Sequence, residues 1–200
     1  MRNLSCSLLV LLTGILLIHC GEKPTSDPSA FTRADSLTEH YLRLQDSLHH
    51  TWNVMINDDN NKLKAMQNLL HELHITHPED AERLSQFEER LIQLHRMRYT
   101  QKSMSNSHVV EEYDFASNAL VVELIAEAES RKEYSYNTTL QKLVDNILLA
   151  DQRMMNYRYE YDSIGYVFNT FVENNKEFLG ETDHALSLEK KPLFQMISSD

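Results

Sequence analysis

The sequence predicts an all-α protein, and more specifically an elongated antiparallel four-helix bundle with two long and two shorter helices. Apolar residues recur at steps of three and four through most of residues 31–179, which is the spacing of one face of an α-helix. The 200 residues include only four glycines and four prolines, whereas sandwiches and barrels need many turns. The length is sufficient for one domain with a sizeable hydrophobic core.

The longest apolar stripe runs through residues 139–179 and predicts a single helix roughly 60 Å long. No proline interrupts this stripe, and Gly165 is its one glycine before the end. A helix of that length cannot bury its stripe against itself, so it requires partner helices of similar length.

A second long helix is predicted over residues 31–76, with Asp35 or Ser36 as its N-cap. The helical periodicity of apolar residues is interrupted at Asp58 and Asp59, but its phase is the same before and after them. We therefore predict one continuous helix with a polar patch, rather than two helices joined by a loop.

Two shorter helices complete the predicted bundle, over residues 79–104 and 109–131. Together the four helices define a helical domain over residues 34–180. A polar tail follows at residues 181–200 and contains a Lys-Pro-Leu-Phe motif at residues 191–194.

The first twenty residues have the features of a signal peptide. Arg2 precedes an apolar run that is shorter than the roughly 20 residues needed to span a bilayer. Residues 17–20, Leu-Ile-His-Cys, resemble a bacterial lipobox, in which Cys20 would carry the lipid. His19 departs from that pattern, which usually has Gly, Ala or Ser before the cysteine. An uncleaved anchor and an ordinary secreted protein are the alternatives.

The polar residues 21–33 are predicted to form a tether between the lipid and the helical domain, since they contain Pro and Ser. Gly21 stands where an Asp tends to mark retention in the inner membrane. The expected location is therefore the bacterial cell envelope, with the outer membrane favoured over the inner membrane.

The composition excludes several classes of function. A formal net charge of −11 makes the chain repel phosphates, so nucleic acid is not expected as a partner. The two cysteines are Cys6 and Cys20, so nothing after Cys20 can form a disulfide or supply a thiol nucleophile. The sequence contains no Gly-rich phosphate loop and no serine elbow of the hydrolase type.

Four segments resemble the LemA family of bacterial envelope proteins. These are Trp52 in the middle of a helix, the Leu/Ala-rich block 124–129 with its Ala-Glu pair, residues 145–174, and the closing motif at 191–194. The chain departs from the family after Trp52, lacks the Tyr-Pro that usually follows the Ala-Glu pair, and has a lipobox where the family usually has a transmembrane helix. The resemblance implies a helical-bundle envelope protein and supplies no catalytic residues.

Three histidines near the end of the second long helix are candidate metal ligands. His71, His74 and His77 are spaced by three residues, so neighbours lie about 60° apart around a helix. His71 and His74 would share the metal, with Glu72 or the pair His49 and His50 as further candidates. A structural metal site needs three or four converging ligands, and the histidine spacing supplies two at best. The alternative is a polar strip that suits the helix dipole.

Carboxylate chemistry has weak support in the sequence. The Glu-x-x-His pattern of di-iron bundles occurs once, at Glu181 and His184, in the polar tail. We therefore expect no catalytic residues and no cofactor. Three aromatic residues, Tyr159, Tyr166 and Phe194, are candidates for a protein interface.

The sequence as a whole predicts a non-enzymatic, lipid-anchored envelope protein that acts as a helical-bundle scaffold or protein-interaction module. Its expected partners are the membrane, through the lipid on Cys20, and other proteins, with a homo-oligomer among the options. The alternative prediction is a metal-binding envelope module centred on His71 and His74.

Overall fold

The computed structural model describes residues 32–180 and 186–196, and within those ranges it contains helices and no strand. The predicted all-α class is confirmed. The α-helices are α1 (Arg33–Thr76), α2 (Ala81–Arg96), α3 (Ser107–Glu129), α4 (Thr138–Asn174) and α5 (Lys176–Gly180). Short 3₁₀ turns lie at Pro78–Asp80, Ser103–Ser105 and Lys132–Ser135.

Helix α1 runs unbroken through Asp58 and Asp59, as predicted. Its N-cap is Thr32 rather than Asp35 or Ser36. The Asp35 N–H donates to the Thr32 hydroxyl at 3.2 Å, and the Thr32 N–H donates to the Asp35 carboxylate at 2.8 Å. This reciprocal pairing satisfies backbone donors that a helix start otherwise leaves free.

The predicted third helix is too long by about two turns, because α2 ends at Arg96. Thr100 and Ser103 exchange backbone-to-hydroxyl bonds of 2.8 and 3.1 Å, which hold a turn in place of further helix. Arg98 leaves the helical path and reaches Asp59 at 3.0 Å. A long-range ion pair therefore overrides the helical periodicity here.

The chain divides into two compact units, Met1–Ser36 and Leu37–Asp200. The structure describes only residues 32–36 of the first unit. The hydrophobic core lies in the second unit and takes side chains from α1 to α4. Its largest fully buried members include Tyr41, Leu48, Leu63, Met66, Leu69, Leu84, Leu94, Tyr161 and Phe168.

The apolar stripes of α1 and α4 continue through charged residues at their middle. On α1 the buried positions run Met55, Asp58, Asp59 and Lys62 before returning to leucine. On α4, Arg158 and Asp162 occupy buried positions in the same way. The predicted polar patch of α1 therefore faces the interior instead of solvent.

Residues 186–196 form a segment that is neither helix nor strand, which we call the C-terminal strap. Four of its apolar side chains pack against the core, namely Leu186, Leu188, Leu193 and Phe194. Within the described ranges no helix has an apolar stretch long enough for a bilayer crossing.

Candidate functional site

Several predicted features lie outside the described residues. These are the signal peptide at 1–20, the lipidation site Cys20, most of the tether, and the residues of the tail at 181–185 and 197–200. Glu181 and His184 belong to this group.

The three candidate metal ligands have separate surroundings. His71 is exposed, and His74 faces Glu88 at 3.2 Å. His77 lies just past the end of α1, where it pairs with Glu133 and, at 3.1 Å, with Glu79.

A different combination of residues meets the geometry of a metal site. Within residues 32–180 and 186–196, one group of three or more metal-ligating side chains has all its ligand atoms within 4.8 Å of one another. It consists of His77, Glu79 and Asp80. Asp80 is already engaged with Arg131 at 2.6 Å. Metal binding at His71 and His74 stays a prediction.

The His77 cluster has its own acid–base behaviour. The hydrogen bond to Glu133, and next the one to Glu79, raise the pKa of His77 above its ordinary value. The bond to His77 lowers the pKa of Glu133 in turn. The cluster therefore favours a charged His77–Glu133 pair at mildly acidic pH.

The aromatic interface candidates separate into two environments. Tyr159 and Tyr166 are exposed on α4. Phe194 instead packs inside this chain, with its ring 5.6 Å from Tyr161 and 6.4 Å from Trp52, the latter nearly parallel.

Four large apolar residues form an exposed line along α4, which we call the α4 stripe. Its members are Leu148, Met155, Tyr159 and Tyr166, with exposed fractions of 40%, 48%, 47% and 61%. Their separations of seven, four and seven residues place them within about 40° of one another around the helix, over about 27 Å. Large apolar side chains in one line are unusual on a free surface.

A cleft of about 350 Å³ opens between α3 and α4 beside the α4 stripe. Phe115, the most exposed aromatic residue of α3, and Met155 of the stripe contribute its apolar lining. Lys62 and Arg158 contribute buried cations. Met155 therefore belongs to both the cleft and the stripe.

Beneath this face, acids and bases are paired in a charge belt, and each pair has at least one buried member. It contains four carboxylates and four cations, namely Asp58, Asp59, Asp114, Asp151, Lys62, Arg98, Arg153 and Arg158. The equal numbers of opposite charges make burial tolerable, because each charge has a compensating partner.

Asp59 is the most densely bonded member of the charge belt. The Tyr113 hydroxyl donates to its carboxylate at 2.7 Å, and Lys62 and Arg98 lie at 3.5 and 3.0 Å. Burial and then the Asp59 charge raise the pKa of Tyr113, so this phenol remains a donor throughout the physiological range. The Lys62 ammonium also donates to Ser117 and Asp151, at 3.0 and 3.1 Å.

Arg158 forms the second centre of the charge belt. Its guanidinium donates twice to Asp114, at 2.6 Å each, and once to the Tyr99 hydroxyl at 2.9 Å. Burial lowers the pKa of Arg158, but the bonds to Asp114 and the Tyr99 contact outweigh it and raise the pKa overall. The guanidinium carbon also lies 4.9 Å from the Phe194 ring centre, a cation–π distance.

These pairings restrict the chemistry that the interior can perform. Among the described residues, each buried charged side chain faces an opposite charge, except Asp162, which accepts two backbone N–H groups. A general acid or base must be free to exchange a proton with a substrate. The buried members of the belt are therefore committed to ion pairs.

Sequence reasoning missed the charge belt and Arg158 in particular. A usable signal was present, because Asp58, Asp59, Lys62, Arg158 and Asp162 all fall on core positions of their helical stripes. Charged residues in that phase indicate buried ion pairs rather than a solvated patch.

No protein-family model, no curated protein and no solved structure matches this chain. The resemblance to the LemA family therefore rests on the sequence segments alone.

Removing the Asp59 carboxylate should destabilise the protein strongly. We expect Asp59→Ala to lower the free energy of unfolding by about 3–5 kcal/mol, because it leaves Lys62 and Arg98 less compensated. Urea denaturation measures the loss. Asp46→Ala, which removes an exposed carboxylate from the same helix, is the matched control and should cost less than about 0.5 kcal/mol. Equal losses in both variants would contradict the buried ion network.

The His77 pairing should make stability depend on pH. Because folding raises the pKa of His77, its contribution is complete below the unfolded value of about 6.5 and is lost as pH rises through the folded value. The difference in Tm between wild type and His77→Gln should be larger near pH 5.5 than near pH 9. His95→Gln, at an exposed position, serves as the control, and a pH-independent difference for His77→Gln would refute the pairing.

Proposed function

We propose that this chain is a non-enzymatic, lipid-anchored protein of the bacterial envelope that serves as a helical-bundle scaffold or protein-interaction module. The observation that carries the proposal is the α4 stripe, with the adjoining cleft between α3 and α4. An exposed line of large apolar side chains beside a cleft is characteristic of interaction sites. The complete pairing of the charge belt supports a non-catalytic role.

The proposed architecture is the elongated antiparallel four-helix bundle. Along α1 and α4 the contacts run in opposite directions, since Tyr41 packs on Phe168 and Asp58 pairs with Arg153. The same reversal relates α2 to α3 in the ion pairs Arg83–Glu127 and Arg90–Glu123. These contacts support neighbours that alternate in direction, as short connections favour.

The partner that best fits the α4 stripe is a helix of another protein. Separations of seven and four residues are those at which one helix packs along another. The net charge of −11 opposes the approach of an acidic surface, so we expect a neutral or basic partner helix. This charge also disfavours a second copy of the chain.

Photo-crosslinking in intact cells tests the interaction surface. A photoreactive amino acid at Tyr159 or Tyr166 should give one discrete adduct of the same partner, because both positions lie on the α4 stripe. The matched control is Tyr136, an exposed tyrosine on the turn before α4, which should give no such adduct. Equal adducts from Tyr136, or none from the stripe, would refute the surface, and an adduct of twice the chain mass would identify a homo-oligomer.

Fatty-acid labelling tests the anchor. Because the lipobox resemblance assigns the lipid to Cys20, Cys20→Ser should abolish incorporation of a labelled fatty acid in a bacterial host. Cys6→Ser, which changes the other cysteine, should retain the label. Label that persists in Cys20→Ser would show that the lipobox prediction is wrong.

A further inference from the structure

The C-terminal strap follows α4 in the opposite direction and contains no helix, turn or bend. Lys190 pairs with Glu173 at 3.0 Å, and the Phe194 N–H donates to Asp162 at 2.7 Å. Glu173 and Asp162 are separated by about 16 Å along α4. Later residues of the strap therefore pair with earlier residues of α4, which shows the opposite direction.

Much of the strap is held through its backbone. The Asn169 side chain donates to the Lys191 carbonyl at 2.9 Å and accepts the Lys191 N–H at 2.7 Å. The Tyr41 hydroxyl donates to the Ser187 carbonyl at 2.7 Å. An amide that pairs with both backbone groups of one residue recognises an extended chain through groups that are common to many sequences.

Asp162 is the deepest contact of the strap. This carboxylate is only 1% exposed and accepts the N–H groups of Phe194 and Met196, at 2.7 Å each. Gln195, between them, has a φ of 61°, so that both N–H groups converge on one side chain. A buried carboxylate without such donors is strongly disfavoured. The strap therefore supplies the donors that compensate the burial of Asp162 beneath it.

Two side-chain positions make the groove beneath the strap selective for particular residues. Gly165 makes room for Leu193, since a Cβ on this glycine would lie 2.5 Å from the leucine Cδ2. The next residue, Phe194, fills a cage of aromatic rings that includes Trp52 and Tyr161. An aliphatic residue followed directly by an aromatic one satisfies both positions.

We propose that this groove is a recognition site for an extended segment of a partner protein, and that the strap occupies it as an internal ligand. The groove is lined by Tyr41, Trp52, Asp162, Gly165 and Asn169. Its ligand is a peptide with an adjacent aliphatic–aromatic pair and, upstream, a basic residue for the exposed Glu173 carboxylate. This inference goes beyond the proposed function, because none of these residues belongs to the α4 stripe.

A partner segment would bind by exchange with the strap rather than by entry into an open groove. Backbone recognition favours exchange, because an incoming extended chain offers the same carbonyl and N–H groups. The strap competes at an effective concentration in the millimolar range, since it is attached to the same chain. Binding of a free ligand is therefore weak until the strap is displaced.

A peptide-binding experiment with the full chain tests this proposal. The probe is a fluorescent peptide of residues 186–196, and the Leu193→Ala/Phe194→Ala chain carries a weakened strap over an intact groove. We expect this variant to bind the peptide with a Kd of about 10 μM or tighter. Wild type should bind about tenfold more weakly or worse, because its own strap competes. The same peptide with both alanines is the matched control and should bind neither chain.

Three outcomes would overturn the proposal. One is no binding to the double variant at about 100 μM peptide, with its helical circular dichroism intact. Another is equal binding to wild type and variant, which places the peptide elsewhere. The third is a wild-type dimer that the double substitution dissociates, which makes the occupant the strap of a second copy.

Hydrogen exchange on wild type keeps the proposal testable if the double variant fails to fold. Excess unlabelled peptide should accelerate amide exchange at Phe194 and Met196 by displacing the strap, while α3 remains protected. Unchanged exchange at these two amides in the presence of the peptide would also overturn the proposal.

Discussion

The burial of Asp59 is the constraint on which the packing of the other helices depends. An isolated carboxylate in the interior costs several kcal/mol, so its donors must arrive together. Lys62 comes from α1, Arg98 from the turn after α2, and Tyr113 from α3. Because these donors lie on three elements, a slide of α3 by one turn would leave the carboxylate undercompensated. The ion network thus favours one register of the helices over a register shifted by one turn. Apolar contacts alone distinguish these registers less well.

Arg158 joins that interior to the end of the chain. Its guanidinium binds Asp114 on α3 and Tyr99 after α2, and it lies against the Phe194 ring of the strap. The aromatic cage therefore has a fixed cation at its wall, positioned by a bidentate carboxylate. The centre of the helical domain and the groove for the strap are parts of one connected arrangement. A ligand that replaces Phe194 would meet the same preorganised surface.

Apolar periodicity was sufficient for the helical class and for the unbroken course of α1, because both depend on local spacing. It failed at Asp58, Asp59 and Arg158, where the helical phase continues but the side chains are charged. It also failed at the end of α2, since the partner of Arg98 is far away in the sequence. The strap could not be predicted because an extended segment has no helical period and its contacts are all long-range. Tyr159 and Tyr166 are exposed, and their role in an interface stays a prediction.

The contrast between the charge belt and the strap has a consequence for ionic strength. Ions of the surrounding solution screen exposed charges within about 10 Å at 0.1 M salt but act weakly on buried pairs. Each pair of the belt has at least one buried member, whereas the Lys190–Glu173 pair that fixes the upstream end of the strap is open to solvent on both sides. A rise in salt would therefore loosen the strap while the interior held its register.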